Sequence, residues 1–230
     1  MTNSSTKLLL LTQRFSGGVE LEDLRDQKLR YLKGTTTVGL VCEDGVVLAT
    51  DTRATMDYEI ASKKARKIYK ITDNIAFTTA GGVADTQRLV DVMRAEAGYY
   101  LMREGIPMDV HACARLVANI MNAYSFFPYI AHRLIGGVDR KGPKLLFVSM
   151  DGGLAEEKML ATGSGSPVAY GVLETEFSEG MNVNTALPIV IKAIKTAMKR
   201  DLATGNEVMV ASVTRRGYFE LSPEQIKKLI

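Results

Sequence analysis

The segment Lys33-Gly34-Thr35-Thr36-Thr37-Val38-Gly39 places three consecutive hydroxyls directly after a glycine. A threonine hydroxyl is a weak nucleophile until a base removes its proton, and the usual base is histidine. The chain holds only His111 and His132, so a Ser-His-Asp arrangement or a zinc site is hard to assemble. One base needs no histidine: the α-amino group of a threonine that is itself the first residue, with a reference pKa of about 8. The chain must then be cut before a threonine, and Gly34–Thr35 offers the place. Glycine reaches backbone conformations that let the Thr35 hydroxyl turn back onto the Gly34 carbonyl and break that bond. Residues 1–34, polar or charged with scattered leucines, would be a leader removed on maturation, and 35–230 the mature domain. The plainer reading of a threonine run is strand material, β-branched and hydrogen-bonded across a ladder.

The elements that must position this segment are legible from period and punctuation. With period two, Thr36, Val38, Leu40 and Cys42 share one face, able to bury, and Thr35, Thr37 and Gly39 the other, which presents hydroxyls. Residues 35–42 and 46–53 flank Glu43-Asp44-Gly45 and predict a hairpin; 66–71 and 75–80 flank Thr72-Asp73-Asn74 and predict a second. After Gly81-Gly82 the period becomes helical, with Leu89, Met93, Ala97, Tyr100 and Leu101 on one side. Pro107 opens a second helix whose apolar side is Val110, Val117, Ile120, Met121 and Tyr124. Strands resume over 132–163, helices over about 166–174 and 184–201, then two strands and a short helix begun by Ser222-Pro223. Pro188 marks a first turn or a slight kink in the longer helix. Runs of strands alternating with helix pairs predict two sheets packed face to face with helices on both outer surfaces.

Bulk properties narrow the function. The chain has 230 residues, 46% of them apolar, enough for one domain with a full core. A net charge of +3 from 29 basic and 26 acidic residues is near balance, which argues against nucleic acid as a partner. The run Leu8–Leu11 is too short for a membrane span or a secretory core, so no membrane partner and a cytoplasmic location are expected. Cys42 and Cys113 sit in apolar patterns and read as small core residues; no metal and no cofactor are expected.

Six segments in order, GTTTVG (34–39), ATDTRAT (49–55), ARKIYKI (65–71), TAGGVADTQ (79–87), ATGSGSPVAYGVLE (161–174) and MKRDLATG (198–205), resemble the β-type subunits of the 20S proteasome, closest to the archaeal kind. The resemblance runs from Gly34 nearly to the C-terminus. It implies an α+β fold, the four-layer α-β-β-α sandwich of N-terminal-nucleophile hydrolases, which agrees with the element order above. It also implies Thr35 as nucleophile with its freed amine as proton acceptor, Asp51 and Lys67 as the acidic and basic partners, and Ser164 and Asp201 as the supporting pair near the amine. A buried ammonium lowers the pKa of a neighbouring hydroxyl, and a carboxylate keeps that ammonium charged. An acid such as Asp201 at a helix C-terminus opposes the macrodipole and demands a partner. Where the family carries a serine three residues after that aspartate, this chain has Thr204, a hydroxyl with an added methyl.

The same resemblance makes Gly81 the oxyanion donor and Thr55, Gly81 and Val83 the residues that pair with an extended substrate backbone; Arg53, two residues from Asp51 on one strand, can point to the site as well and is counted with the substrate-binding residues. Ala54, Ala65, Tyr69, Thr79 and Val83 would line the specificity pocket, roomy and uncharged, suited to apolar side chains. The implied partners are α-type ring subunits, other β-type subunits in seven-membered rings, unfolded polypeptide as substrate, and a regulatory ATPase reached through the α ring. Two rival readings are a silent structural ring member and a small-molecule amidase. The first generally lacks one of Gly34, Thr35, Asp51 and Lys67; the second leaves unexplained a match that extends to the outer helices.

Overall fold

The computed structural model describes residues 35–56, 59–81, 83–124 and 131–229, so Gly34 and the expected leader lie outside the described residues. In chain order the elements are β1 (Thr36–Val41), β2 (Gly45–Asp51), β3 (Ala54–Met56), β4 (Glu59–Ser62), β5 (Ile68–Lys70), β6 (Ile75–Gly81), α1 (Val83–Glu104) and α2 (Val110–Ala123). Then follow β7 (Ala131–Asp139), β8 (Gly142–Val148), β9 (Leu154–Glu156), β10 (Met159–Gly163), α3 (Ser166–Glu176), α4 (Val183–Met198), β11 (Val208–Thr214), β12 (Gly217–Glu220) and α5 (Pro223–Lys228).

Two five-stranded antiparallel sheets, ordered β10-β1-β2-β11-β12 and β5-β6-β7-β8-β9, form the centre, with β3 and β4 as a separate pair. Three apolar clusters define four layers. The first lies between α3 and α4 and the outer face of the first sheet, with Val38, Leu40, Val47, Leu187, Val190 and Ile194. The second lies between α1 and α2 and the outer face of the second, with Phe77, Met93, Val117, Met121 and Ile135. The third fills the seam between the sheets, with Val46, Leu48, Ile68, Leu134, Leu145 and Val213. This is the expected α-β-β-α sandwich.

β1 is buried on both faces, so the sequence reading of one burying and one presenting face is corrected. Val38 and Leu40 go under α4, while Thr37 turns into the seam. There the Thr37 hydroxyl bonds Thr162 Oγ1 at 2.8 Å and accepts from Thr78 Oγ1 of the opposite sheet at 3.2 Å. A central strand covered on both sides reads as a continuous apolar run; here hydroxyls bonded to each other substitute for part of it.

Other boundaries move for local reasons. α2 begins at Val110, three residues after Pro107, because Asp139 at the end of β7 takes the Val110 N–H through Oδ2 at 3.1 Å and caps it from outside. In α1 the buried line is Leu89, Met93 and Ala97, with Tyr100 packed against it. Leu101, about 100° further round, is 47% exposed rather than inward, and on α2 Tyr124 is 45% exposed. Pro188 is the sixth residue of α4, so Asn184 loses the i+4 amide donor to its carbonyl; Asn184 lies on the exposed side of the helix. Asn182 caps α4 by accepting from Thr185 N–H at 3.0 Å, and Ser222 with Gln225 forms a reciprocal capping box on α5.

Leu48 has no exposed surface and packs in the seam, where neither sheet can close over a gap without shifting the other. Leu48→Ala is expected to lower the unfolding free energy of the full chain by about 2–5 kcal/mol, read as a fall in the urea midpoint at unchanged slope.

Candidate active site

The first residues of β1 are held on three sides. Thr36 pairs with Gly163 of β10, and the Thr50 hydroxyl of β2 donates to the Thr36 carbonyl at 3.0 Å. Gly163 has φ of +94°, and a Cβ there would lie 1.8 Å from the Thr35 carbonyl oxygen, so only glycine lets β10 approach the head of β1 this closely. The third contact is Asp51, the last residue of β2 and fully buried, whose Oδ1 accepts the Thr36 N–H at 3.1 Å.

Asp51 collects donors from four parts of the chain. Besides Thr36 N–H, Oδ1 accepts Lys67 Nζ at 2.8 Å, and Oδ2 accepts Arg53 N–H at 3.0 Å and Gly205 N–H at 2.9 Å. Lys67 Nζ also donates to the Arg53 carbonyl at 2.5 Å, and its side chain is 5% exposed. Burial pushes the Lys67 ammonium below the ordinary lysine range; the charge and hydrogen bond of Asp51 oppose that shift without cancelling it. A carboxylate so saturated holds a buried cation one carboxylate away from the peptide that joins Thr35 to Thr36.

On the helix side of β1 a second set gathers. The Thr36 and Thr204 hydroxyls lie 2.6 Å apart, Thr204 Oγ1 donates to Asp201 Oδ2, and Ser164 Oγ donates to the same oxygen at 2.5 Å. Asp201, just beyond the C-terminus of α4, thus has the partners that the macrodipole argument demands. The methyl of Thr204 is accommodated with the residue fully buried, and its hydroxyl reaches both Thr36 and Asp201. Ser164 is on the exposed side of this set.

The residues expected along a groove are placed as follows. Ala54 and Thr55 lie on β3; Ala65 N–H donates to the Thr52 carbonyl at 2.9 Å; Gly81 is exposed at the end of β6 next to α1. Thr79 is buried, its hydroxyl 2.8 Å from that of Thr86 on α1. Tyr69 packs against the cluster under α1 and α2 and donates its hydroxyl to the Arg66 carbonyl at 2.8 Å. Val83 opens α1, and its side chain lies outside the described residues. Arg53 is not on one strand with Asp51 as expected, because β2 ends at Asp51 and β3 begins at Ala54; its side chain turns to the 202–206 loop, with Nη1 to the Leu202 carbonyl at 2.6 Å and Nε to Asn206 Oδ1 at 2.9 Å.

Burial pushes the Cys42 and Cys113 thiols up to about 12, and His132, whose pKa burial lowers, stacks edge-on against Phe147. Sequence reasoning missed Thr36, Thr50 and Gly205. The first two hid inside a threonine pattern that any strand could carry; Gly205 left only the weak signal of a glycine in the polar turn after Asp201.

A threonine at the head of an inner strand of an α-β-β-α sandwich, beside a buried carboxylate and ammonium, defines the class of N-terminal-nucleophile hydrolases. The chain belongs to the proteasome subunit family, whose model, described as "Proteasome subunit", matches residues 31–213. It is similar to proteins named "Proteasome subunit beta". That of Ferroglobus placidus is 50% identical over 202 residues, 87% of this chain and 96% of the relative. That of Methanothermobacter thermautotrophicus is 48% identical over 86% of this chain and 95% of the relative. That of Archaeoglobus fulgidus is 47% identical over 87% and 95%. Identity near one half along almost the whole of each chain makes this a β-type, proteolytic 20S core subunit of the threonine-peptidase class.

Asp51→Asn removes the charge that holds Lys67 protonated while leaving the ammonium buried. Breaking such a pair is expected to lower stability at pH 7 by about 3–5 kcal/mol, measured by chemical unfolding. With Lys67 depressed in the folded state, the unfolded chain binds more protons between the folded pKa and the ordinary lysine value. That group therefore makes stability rise with pH across this window, and Asp51→Asn extends the window to lower pH.

Proposed function

We propose that Thr35, exposed as a new N-terminus by cleavage after Gly34, is the nucleophile with which this subunit hydrolyses peptide bonds. The observation that carries the reading is the Asp51 carboxylate, which accepts both the Thr36 N–H and Lys67 Nζ and so brings a buried cation to the head of β1. In this reading the Thr35 α-amine takes the hydroxyl proton, and Lys67 stabilises the alkoxide as its own charge is held by Asp51. The oxygen attacks the scissile carbonyl, and the Gly81 N–H meets the oxyanion, a contribution of about 3 kcal/mol for donors of this kind. The Thr35 α-ammonium then gives that proton to the leaving amine, and water, deprotonated by the freed α-amine, hydrolyses the ester and returns the Thr35 hydroxyl. Ser164, Asp201 and Thr204 hold the amine and its proton.

Gly81, exposed at the end of β6, suits an extended peptide added as a strand, with Thr55, Gly81 and Val83 along it. The Thr79 hydroxyl is engaged with Thr86, so a pocket lined by Ala54, Ala65, Tyr69, Thr79 and Val83 would offer no charge to select by, which supports a preference for apolar side chains. The subunit works in the cytoplasm on unfolded chains, in seven-membered β rings stacked on α-type rings that a regulatory ATPase engages. Among the described residues no helix is long and apolar enough to cross a membrane. The presence together of Gly34, Thr35, Asp51 and Lys67 favours an active over a silent subunit.

Particles assembled from the full chain with α-type partners are expected to contain a species that begins at Thr35 by intact mass, and to cleave fluorogenic peptides with apolar residues. Thr35→Ala is expected to retain residues 1–34 and to lose turnover by at least about 10³-fold, whereas Thr35→Ser keeps both reactions. Peptide cleavage undiminished in Thr35→Ala, or turnover by particles that still carry the whole leader, overturns the reading.

A further inference from the structure

The 201–206 loop brings three groups to the site: the Asp201 carboxylate, the Thr204 hydroxyl and the Gly205 N–H that Asp51 accepts. Apolar burial does not hold this loop. Leu202 is 80% exposed, and Asn206 is exposed with φ of +71°, a left-handed conformation that asparagine tolerates better than most residues.

Arg53 holds it instead. Its Nη1 donates to the Leu202 carbonyl at 2.6 Å, near the start of the loop, and its Nε to Asn206 Oδ1 at 2.9 Å, at the end. Between these the guanidinium covers Gly205 so closely that a Cβ there would lie 2.3 Å from Cζ. Among the described residues Arg53 forms no ion pair with a carboxylate, so its fork is committed to two neutral acceptors. The backbone of the same residue is part of the first set, since its N–H donates to Asp51 and its carbonyl accepts Lys67 Nζ.

We infer that Arg53 is a positioning residue that latches the 201–206 loop onto the end of β2 and so locks the Asp51–Lys67 pair and the Ser164–Asp201–Thr204 set into one geometry around Thr35. The inference rests on the reading of Thr35 as nucleophile. It assigns the guanidinium to the loop and not to the substrate. A planar fork that grips two acceptors while lying flat on a glycine is a task lysine does not reproduce, because its ammonium is a point donor on a flexible stem. Without the latch, Thr204 and Gly205 drift from Thr36 and Asp51, and displacement of about 1 Å near reacting atoms costs about 10²-fold in rate.

The test uses particles assembled from the full chain with α-type partners, with turnover normalised to chains that mass spectrometry finds beginning at Thr35. Arg53→Met and Arg53→Lys are expected to lose about 10–100-fold in kcat with KM within about twofold of the wild type. Added ethylguanidinium is expected to restore part of kcat in Arg53→Ala, and ethylammonium to restore none. Asn206→Gly, which keeps the backbone conformation and removes one acceptor, is expected to show a smaller loss, and it decides the matter if the Arg53 variants fail to assemble. An unchanged kcat in Arg53→Met, a raised KM at constant kcat, or an Asn206→Gly particle equal to the wild type overturns the latch. A Thr35→Ala control separates the two ideas: turnover that survives in it refutes the nucleophile reading, whatever Arg53 does.

Discussion

The Asp51 carboxylate is the constraint on which the rest depends. It is fully buried and accepts hydrogen bonds from Thr36 N–H, Lys67 Nζ, Arg53 N–H and Gly205 N–H, so strands and loops far apart in sequence converge on two oxygen atoms. A buried charge is tolerated only when paired and hydrogen-bonded, and this one is satisfied on every side available to it. Because each donor comes from a different segment, moving any of them unsaturates the charge. That makes the head of β1, the approach of Lys67 and the turn before β11 a single geometrical problem.

The seam between the sheets fixes the height at which that problem is solved. Thr37 bonds Thr162 in its own sheet and Thr78 in the opposite one, and Thr78 Oγ1 in turn accepts the Leu134 N–H at 3.3 Å. Hydroxyls bonded across a buried interface specify register more narrowly than aliphatic side chains, which tolerate repacking. A slip of β1 by one residue would exchange Thr37 for Thr36 in the seam and carry the Thr36 N–H away from Asp51. Register in the core and chemistry at the strand head are therefore set by the same contacts.

Much of the fold was legible in the sequence because its signals are local. The Glu43-Asp44-Gly45 turn, the helical period after Gly82 and the Ser222-Pro223 cap depend on neighbours a few residues away. Signals that depended on distant partners were misread: the start of α2 is set by Asp139, and the burial of both faces of β1 by a sheet formed from residues beyond 65. The site divides in the same way. The meeting of Asp51 with Lys67 and of Ser164 with Asp201 followed the family resemblance, whereas Thr50 and Gly205 act through a hydroxyl and an amide that carry no mark in the chain.

The two sets around β1 differ in exposure, and the difference bears on how such a site could be made from its own precursor. Asp51 and Lys67 are closed off, so their interaction is strong and does not vary with what solvent does nearby. Asp201 is half-buried and Ser164 exposed, so that set has a side open to solvent. On the proposed reading, cleavage creates an ammonium at Thr35 that was an amide a moment earlier. A new charge needs a counter-charge already in place and an exit for the departing segment. A half-open carboxylate ringed by hydroxyls supplies the first without requiring the closed pair to rearrange, and the open side supplies the second. On that reading the buried pair fixes the nucleophile before it exists as a terminus, and the half-open set receives the terminus once it does.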